Sequence, residues 1–508
     1  MEDTESKKLK KCTIVIKDEV NVKIEGLDLD VRKRLSNQFK YRIPYAIHMP
    51  AYKLGRWDGC VAFFQLGGST YLNLLPEILP VLEQYNYDIQ LDDRRQNHGE
   101  LVFERVDANT FVHKTWPEGH PVAGEPVVLR DYQIEVINRF LENPQCLQEV
   151  ATGAGKTLMT AALSASVEQY GRSIVIVPNK SLVEQTEEDY INLGLDVGVY
   201  YGDRKEFGRT HTICTWQSLN TLLKATQNRS DRHDPSSMRA IKDPENWYTI
   251  DEFLEGVVCV MVDEAHGAKA DALKSVLTGP MANIPIRWGF TGTIPKEQYE
   301  FASLRVSLGE VVNQIAASEL QEQGVLAQCH VNVLQTQDVK AYANYQQEMQ
   351  YLVTDDTRME WLAGKINEIK LSGNTLILVD RIRAGEKLQS LIPDSIFVQG
   401  AIKTKDRKSA YDQIQKGNNQ VVIATYGVAA VGINIPRIFN LVLLEPGKSF
   451  VRVIQSIGRG IRKAKDKDFV QIWDITSSCK FSKRHLSKRK TYYKDANYPF
   501  KIHKIQEY

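Results

Sequence analysis

One octapeptide constrains this chain more than any other feature. Val150-Ala151-Thr152-Gly153-Ala154-Gly155-Lys156-Thr157 lies between an apolar run, Cys146 to Val150, and an Ala-, Leu- and Met-rich stretch from Thr157 to Gln169. A short strand, a glycine turn and a helix are expected in that order. Such a turn aims several backbone N–H groups at one point, where the helix N-terminus already favours negative charge. Gly153 and Gly155 keep side chains clear of that point. Lys156 is placed to reach the β- and γ-phosphates of a nucleotide, and the Thr157 hydroxyl to bind Mg2+. The strict phosphate-loop pattern asks for glycine where this chain has Val150.

A second run, Val257 to Val262, ends in Asp263-Glu264-Ala265-His266. A buried strand would deliver both carboxylates to the carboxyl edge of a sheet, where ligands of α/β folds bind. Asp263 suits the metal and Glu264 suits polarising a water. With the loop, this pair implies hydrolysis of ATP, with Mg2+ as the metal.

At 508 residues the chain exceeds one hydrophobic core, so several domains are expected. The formal charge of +1 gives no global attraction to nucleic acid, so any such binding needs local basic surfaces. Cys12, Cys60, Cys146, Cys214, Cys259, Cys329 and Cys479 form no CxxC pair, which argues against a zinc site or a disulfide framework. The opening MEDTESKKLKK is not an apolar signal, and no run is long enough to span a membrane. A soluble, cytoplasmic protein without membrane partners is expected, with a monomer favoured.

Strand-like runs at Ser173–Pro178, Thr210–Thr215, Gly256–Val262 and Arg287–Thr291 alternate with helical stretches, and the alternation restarts beyond residue 326. It continues with Thr375–Asp380, Ser395–Gln399, Gln420–Thr425, Asn440–Glu445 and Phe469–Ile475. Alternation of this kind implies parallel sheets covered by helices. The expected fold is α/β, two tandem parallel-sheet lobes preceded by a small α+β N-terminal domain. Its boundaries are 1–115 for the N-terminal domain, 116–312 and 313–476 for the lobes, and 477–508 for a basic, Tyr-containing tail. A Pro- and Gly-rich linker, Trp116 to Pro126, marks the first boundary. The polar stretch Lys224 to Asn246 reads as a surface insertion.

In the second lobe Gln455, Arg459 and Arg462 recur at i, i+4 and i+7, one face of a helix. Two guanidinium forks on one stripe match phosphate oxygens. Should the lobes meet around ATP, these arginines complete the site on closure, an effect worth roughly 10³–10⁵ in rate.

The order of these motifs resembles the superfamily 2 helicases over residues 127 to 475, which implies that the two tandem parallel-sheet lobes are RecA-like. Leu129-Arg130-Asp131-Tyr132-Gln133 is similar to the adenine-reading motif, Pro178 to Gln185 to motif Ia, and Thr215 to Ser218 to motif Ib. Asp263 to His266 resembles a DEAH-type motif II, Thr291-Gly292-Thr293 motif III, Ala424 to Pro436 motif V, and Gln455 to Arg462 motif VI. Three positions depart from the usual pattern: Asn179 for Thr, Asn434 for Asp and Ser456 for Arg. The resemblance implies that Arg130, Gln133, Gln455 and Gly432 join Gly153, Gly155, Lys156 and Thr157 in binding nucleotide. Lys156, Asp263, Glu264, Arg459 and Arg462 would carry catalysis, with Thr157 and Asp263 on the metal. Tyr52 to Gly59, the helical stretch Tyr345 to Ile369 and the basic tail resemble phage UvsW-type helicases, which act on branched DNA. A phage-encoded member would work in the host cell cytoplasm.

Nucleic acid has its own signal in the N-terminal segment, where Lys40, Arg42, Lys53 and Arg56 interleave with Phe39, Tyr41, Tyr52 and Trp57. Cations hold phosphates while rings stack on bases. Arg56 and Trp57, at a glycine-bounded turn, read as binding residues, whereas Phe63 and Phe64 read as core. Across the lobes Asn179, Ser181, Thr215, Gln217, Arg381 and Thr425 would grip a strand's backbone without reading sequence. The expected function is an ATP-dependent DNA helicase or branch-migration motor on branched, single-stranded or duplex DNA. Three alternatives stay open: a duplex translocase, an RNA or RNA–DNA hybrid helicase, and an annealing protein with incidental ATPase.

Overall fold

The computed structural model describes residues 10–96, 99, 101–118, 122–230, 248–265, 270–399, 409, 411–412, 414–430, 437–448, 457 and 466–506. Two compact units emerge, one of residues 1–148 with 157–313, the other of 149–156 with 314–508.

The first unit opens with a four-stranded sheet. It is built from β1 (Lys10–Ile16), β2 (Asn21–Glu25), β5 (Ser69–Tyr71) and β6 (Tyr87–Asp93) in the order β5-β2-β1-β6. A ribbon of β3 (Lys40–Arg42) and β4 (Cys60–Ala62) stands beside it. Alternation in β2, Val22 and Ile24 inward with Lys23 outward, gives this sheet one buried face. Phe63 and Phe64 lie in its core, as expected. That core also takes in Tyr299, Ala302 and Val306 from the helix Gln298–Leu308, so the N-terminal sheet shares its hydrophobic interior with a helix of the α/β region that follows.

Among the described residues the next sheet has eight strands in the order β10-β9-β11-β8-β12-β13-β7-β14, largely parallel but with β10 antiparallel to β9. Their spans are β7 (Gln145–Val150), β8 (Arg172–Val177), β9 (Val197–Tyr201), β10 (Arg204–Lys205), β11 (His211–Thr215), β12 (Val257–Val262), β13 (Ile286–Thr291) and β14 (Glu310–Ile315). β8, β11, β12 and β13 run parallel, so their carboxyl ends share one edge. β12 is apolar throughout and covered on both faces, as a central parallel strand must be.

The second unit carries seven parallel strands in the order β17-β18-β16-β19-β20-β15-β21. They are β15 (Gln328–Thr336), β16 (Thr375–Val379), β17 (Ile396–Val398), β18 (Val421–Thr425), β19 (Asn440–Leu444), β20 (Phe469–Ser477) and β21 (Phe500–Ile505). The helical stretch expected at Tyr345 to Ile369 is two helices, Tyr345–Thr354 and Asp356–Ile369. Residues 477–508 were expected as a basic tail, but the described part is built into the fold. The helix Lys480–Asp495 packs on β20, and β21 extends the sheet by pairing with β15. Buried Glu348 caps that helix, accepting from the Phe481 and Ser482 backbone N–H groups at 3.0 and 2.7 Å. Among the described residues no helix is long and apolar enough to cross a membrane. The insertion expected at 224–246 begins on the helix Trp216–Ser230, and its remainder lies outside the described residues.

Candidate nucleotide and nucleic-acid site

Between β7 and the helix Lys156–Val167 the chain makes a tight turn in which Gly153 and Gly155 have φ of 91° and 81°. Only glycine adopts such angles without strain, so both are required by the backbone path. Val150, where the strict pattern wants glycine, is the fully buried last residue of β7, and the turn begins after it. Ala151 N–H donates to Ile315 O at 3.0 Å, and Ala154 N–H closes back on Ala151 O. Lys156 and Thr152 are buried. Thr157 sits in the first helical turn, its hydroxyl donating to the Asp189 carboxylate on the helix Lys180–Asn192. Burial pushes Asp189 up to about 6, and the Thr157 hydrogen bond opposes that rise. Asp189 sits in an acidic run, Glu187-Glu188-Asp189, that reads as a solvated helix face; nothing local in the sequence pairs it with Thr157.

At the end of β12, Asp263 N–H donates to Ile176 O of the adjacent β8 at 2.9 Å, which pins the acidic pair to the sheet edge. Asp263 and Glu264 are both buried, and Glu264 has φ of 52°. A non-glycine residue in the left-handed region costs of order 1 kcal/mol and recurs where a side chain must be aimed. One strand along, Thr291 Oγ1 donates to Thr293 O at 2.7 Å, a closed turn at the end of β13. A hydroxyl and carboxylates are hard oxygen donors, the set Mg2+ prefers. The glycine turn feeding a helix N-terminus suits the phosphates it would accompany.

Arg130 is exposed and directly precedes the helix Asp131–Glu142; its N–H donates to Gln133 Oε1 at 3.0 Å, so the buried Gln133 helps cap that helix. Gln455, Gly432, Arg459, Arg462 and His266 lie outside the described residues.

The first unit also brings together residues read as backbone contacts. Asn179 caps the helix Lys180–Asn192 through Leu182 N–H at 3.1 Å, while its buried Nδ2 has no hydrogen-bond partner. Gln217 Nε2 donates to Pro178 O at 3.4 Å, and the Thr215 hydroxyl meets Ser218 Oγ at 3.0 Å. β8 and β11 are parallel neighbours, so Asn179, half-buried Ser181, Thr215 and Gln217 line one stretch of the edge that carries Asp263. In the second unit Val379 of β16 is in register with Thr425 of β18, which places Arg381 and Thr425 near one another at that sheet's carboxyl edge. Arg381 donates to Gln350 Oε1 and Gln346 Oε1 at 2.6 and 2.9 Å. In the N-terminal sheet's ribbon Arg56 is exposed. Trp57 is half-buried against the core and donates its Nε1–H to Cys60 O at 2.8 Å.

Family models match two stretches of the chain: residues 126–296 as the res subunit of type III restriction enzymes, and residues 357–464 as the helicase conserved C-terminal domain. The ATP-dependent DNA helicase uvsW of Enterobacteria phage T4 is 23% identical over 483 residues, covering 90% of this chain and 89% of that protein. A putative DNA 3'-5' helicase Rad25 of Haloarcula marismortui is 24% identical, covering 67% of this chain but only 52% of its own length. Among solved structures, a fragment of a putative HsdR subunit of a type I restriction enzyme from Vibrio vulnificus shares the fold. Its TM-score is 0.53 at 15% identity, over 96% of this chain and 85% of that one. The chain thus belongs to the superfamily 2 helicases, resembles the T4 UvsW helicase along most of its length, and is an ATP-dependent nucleic-acid helicase.

Proposed function

We propose that this helicase is a DNA motor acting on branched or junction DNA, able to migrate a branch by moving along a strand's backbone. The supporting observation is the edge of the first parallel sheet, where Asn179, Ser181, Thr215 and Gln217 stand on strands beside the one bearing Asp263 and Glu264. Strand ends that hold a nucleic-acid backbone therefore adjoin the strand end that carries the acidic pair.

Bound ATP with Mg2+ supplies the phosphoanhydride bond whose cleavage drives movement. The Gly153–Gly155 turn offers backbone N–H groups to the phosphates, and Lys156 neutralises their charge. Thr157 and Asp263 would hold the metal, which requires the Thr157 hydroxyl to turn from Asp189. Glu264, aimed by its left-handed backbone, orients a water and accepts its proton. Arg459 and Arg462 would offset charge that grows as the bond breaks, Gln455 and Gly432 are further candidates for binding nucleotide, and Arg130 and Gln133 for reading the base. Asn179, Ser181, Thr215, Gln217, Arg381 and Thr425 contact phosphates and sugars, so binding is salt-sensitive and independent of sequence. Arg56 and Trp57 add a junction contact from the N-terminal sheet. DNA is favoured over RNA because similarity to a DNA helicase extends over nearly the whole chain.

Strand displacement from a synthetic four-way junction, with Lys156→Ala as control, tests this reading. ATP-dependent resolution of the junction by the parent supports it; an inert junction in ATP contradicts it. The match to a restriction-enzyme subunit favours a second reading, translocation along duplex without strand separation. Displacement of a triplex-forming strand without any unwinding of forks would select that alternative.

A further inference from the structure

Two helices leave the strand ends that bear the helicase motifs, and the N-terminal sheet is fastened to both. The helix Ala270–Thr278 starts five residues after Ala265, and Gln298–Leu308 starts five residues after Thr293. In the first turn of the former, Asp271 accepts two hydroxyl hydrogen bonds, on Oδ2 from Tyr45 of the N-terminal segment and on Oδ1 from Tyr299 of the latter helix. One turn on, Lys274 Nζ lies 4.0 Å from the ring centroid of Phe63 and 5.4 Å from that of Tyr71. At the helix end Thr278 O accepts from Asn21 Nδ2 at 2.9 Å. The second helix is held likewise. Phe63 packs edge-on to Tyr299 with centroids 6.0 Å apart, Asn73 Nδ2 donates to Arg305 O at 3.0 Å, and Arg305 pairs with Glu77 at 2.5 Å.

The contacts other than those to Asp271 are ring packing, cation–π pairs, side-chain-to-backbone hydrogen bonds and one ion pair, which would hold a domain in place whatever its ligand. Asp271 differs, since a single carboxylate joins three elements. They are the segment that leads to the Arg56–Trp57 turn, the helix continuing from the acidic strand, and the helix continuing from β13. Burial and Asp271 together push the Tyr45 hydroxyl up to about 12, so it remains a neutral donor at working pH. Tyr45 is itself partly exposed on the same short stretch, 45–57, that presents Lys53 and Arg56 to solvent.

We propose that Asp271 is a positioning residue that makes ATP hydrolysis answer to DNA held by the N-terminal sheet. A shift of the 45–57 segment on DNA alters the Tyr45 bond, and Asp271 carries it to the helix whose Leu273, Val276 and Leu277 share a hydrophobic cluster with Val262 and Ala265 beside the acidic pair. This inference rests on the DNA-motor reading above. It assigns the N-terminal sheet a part in timing hydrolysis, in addition to binding.

The test uses the full chain as parent, Asp271→Asn, Tyr45→Phe and Asp271→Glu. ATPase kcat and KM are measured without nucleic acid and with a saturating forked duplex, and fork affinity by fluorescence anisotropy. For Asp271→Asn and Tyr45→Phe, basal kcat, KM for ATP and fork affinity should stay within about twofold of parent. The stimulated kcat should fall at least about fivefold, the lower end of usual coupling energies. Asp271→Glu, which keeps the acceptor, should retain most of the stimulation. Parental stimulation in both Asp271→Asn and Tyr45→Phe overturns the inference, as does a lowered melting temperature with an unchanged stimulation ratio, which would make Asp271 a structural clasp. A parent that no nucleic acid stimulates overturns the motor reading and this inference together, and the parental arm alone reveals that case.

Discussion

In both units a carboxylate with a left-handed backbone follows a buried parallel strand: Glu264, φ 52°, past β12 and Glu445, φ 44°, directly after β19. The surroundings then diverge. Glu445 is enclosed by its own unit, with Arg358 Nη2 at 3.2 Å and hydroxyls of Thr476 and Ser482 at 3.3 Å. Below it Asp474 receives a two-pronged bond from Arg489 at 2.8 and 2.9 Å and a third from the Tyr493 hydroxyl at 2.6 Å. In the first unit Glu264 follows Asp263 at an edge that also carries Asn179 and Gln217. One backbone device therefore stands in both sheets: in the second it carries a structural carboxylate, and in the first, on the proposed reading, the carboxylate that orients water. Position and φ alone do not assign a role to such a carboxylate.

The sharpest way to break this contrast is Arg489→Met. It leaves Asp474 buried beside a single tyrosine hydroxyl, and losing one partner of a buried pair costs about 3–5 kcal/mol. Denaturant unfolding should show that loss; a midpoint within error of parent would mean the second unit's charges are not structural. Lys156→Ala should act in the opposite sense. Its ATPase should fall by about 10²–10³, as when one preorganised charge-stabilising donor is removed, with unfolding and DNA affinity near parental. Parental hydrolysis in this variant would remove the phosphate-loop assignment.

Glu445 sharpens the comparison through pH. Burial raises it from 4.5 to about 7, with Arg358 and Arg489 opposing. The folded state thus binds the proton more tightly than the unfolded one, so stability declines as pH rises from about 4.5 to about 7 and levels off above. Glu445→Gln should flatten the melting temperature against pH in that window, and an unchanged slope would contradict the assignment. The smallest effect is expected for Asn179→Ala. Loss of its cap costs about 1 kcal/mol of stability. If its buried Nδ2 serves a phosphate, DNA affinity should drop a few-fold with a shallower salt dependence; loss of stability alone would confine Asn179 to capping.

The parallel strands most legible in sequence were those buried on both faces. Runs such as Val257–Val262 and Thr375–Val379 are continuously apolar and end in punctuating polar residues, and each is a strand within a residue of its expected bounds. What escaped notice depends on partners far away in sequence. The helix Lys480–Asp495 buries Ser482, Leu486, Arg489 and Tyr493, so a polar residue and an arginine complete its inner stripe. Asp474 on β20 and the Gly447 carbonyl, both distant in sequence, make that arginine a core residue, and a local window reads it as a basic tail. β21, Phe500–Ile505, interleaves charge with apolar residues and becomes a strand by pairing with β15. At the candidate site, chemistry that follows the chain was legible: the glycine turn, Lys156, Thr157 and the acidic strand end. The Thr157–Asp189 and Tyr45–Asp271 bonds are tertiary, spanning 32 and 226 residues, and no spacing announces them.

The most direct test is the ATPase rate of the full chain without nucleic acid, then with single-stranded DNA, plain duplex, a four-way junction and single-stranded RNA. A motor for branched DNA predicts the highest rate with the junction, clearly above plain duplex and RNA. Equal rates under all five conditions would mean that hydrolysis is uncoupled from nucleic acid, and the motor account would fail.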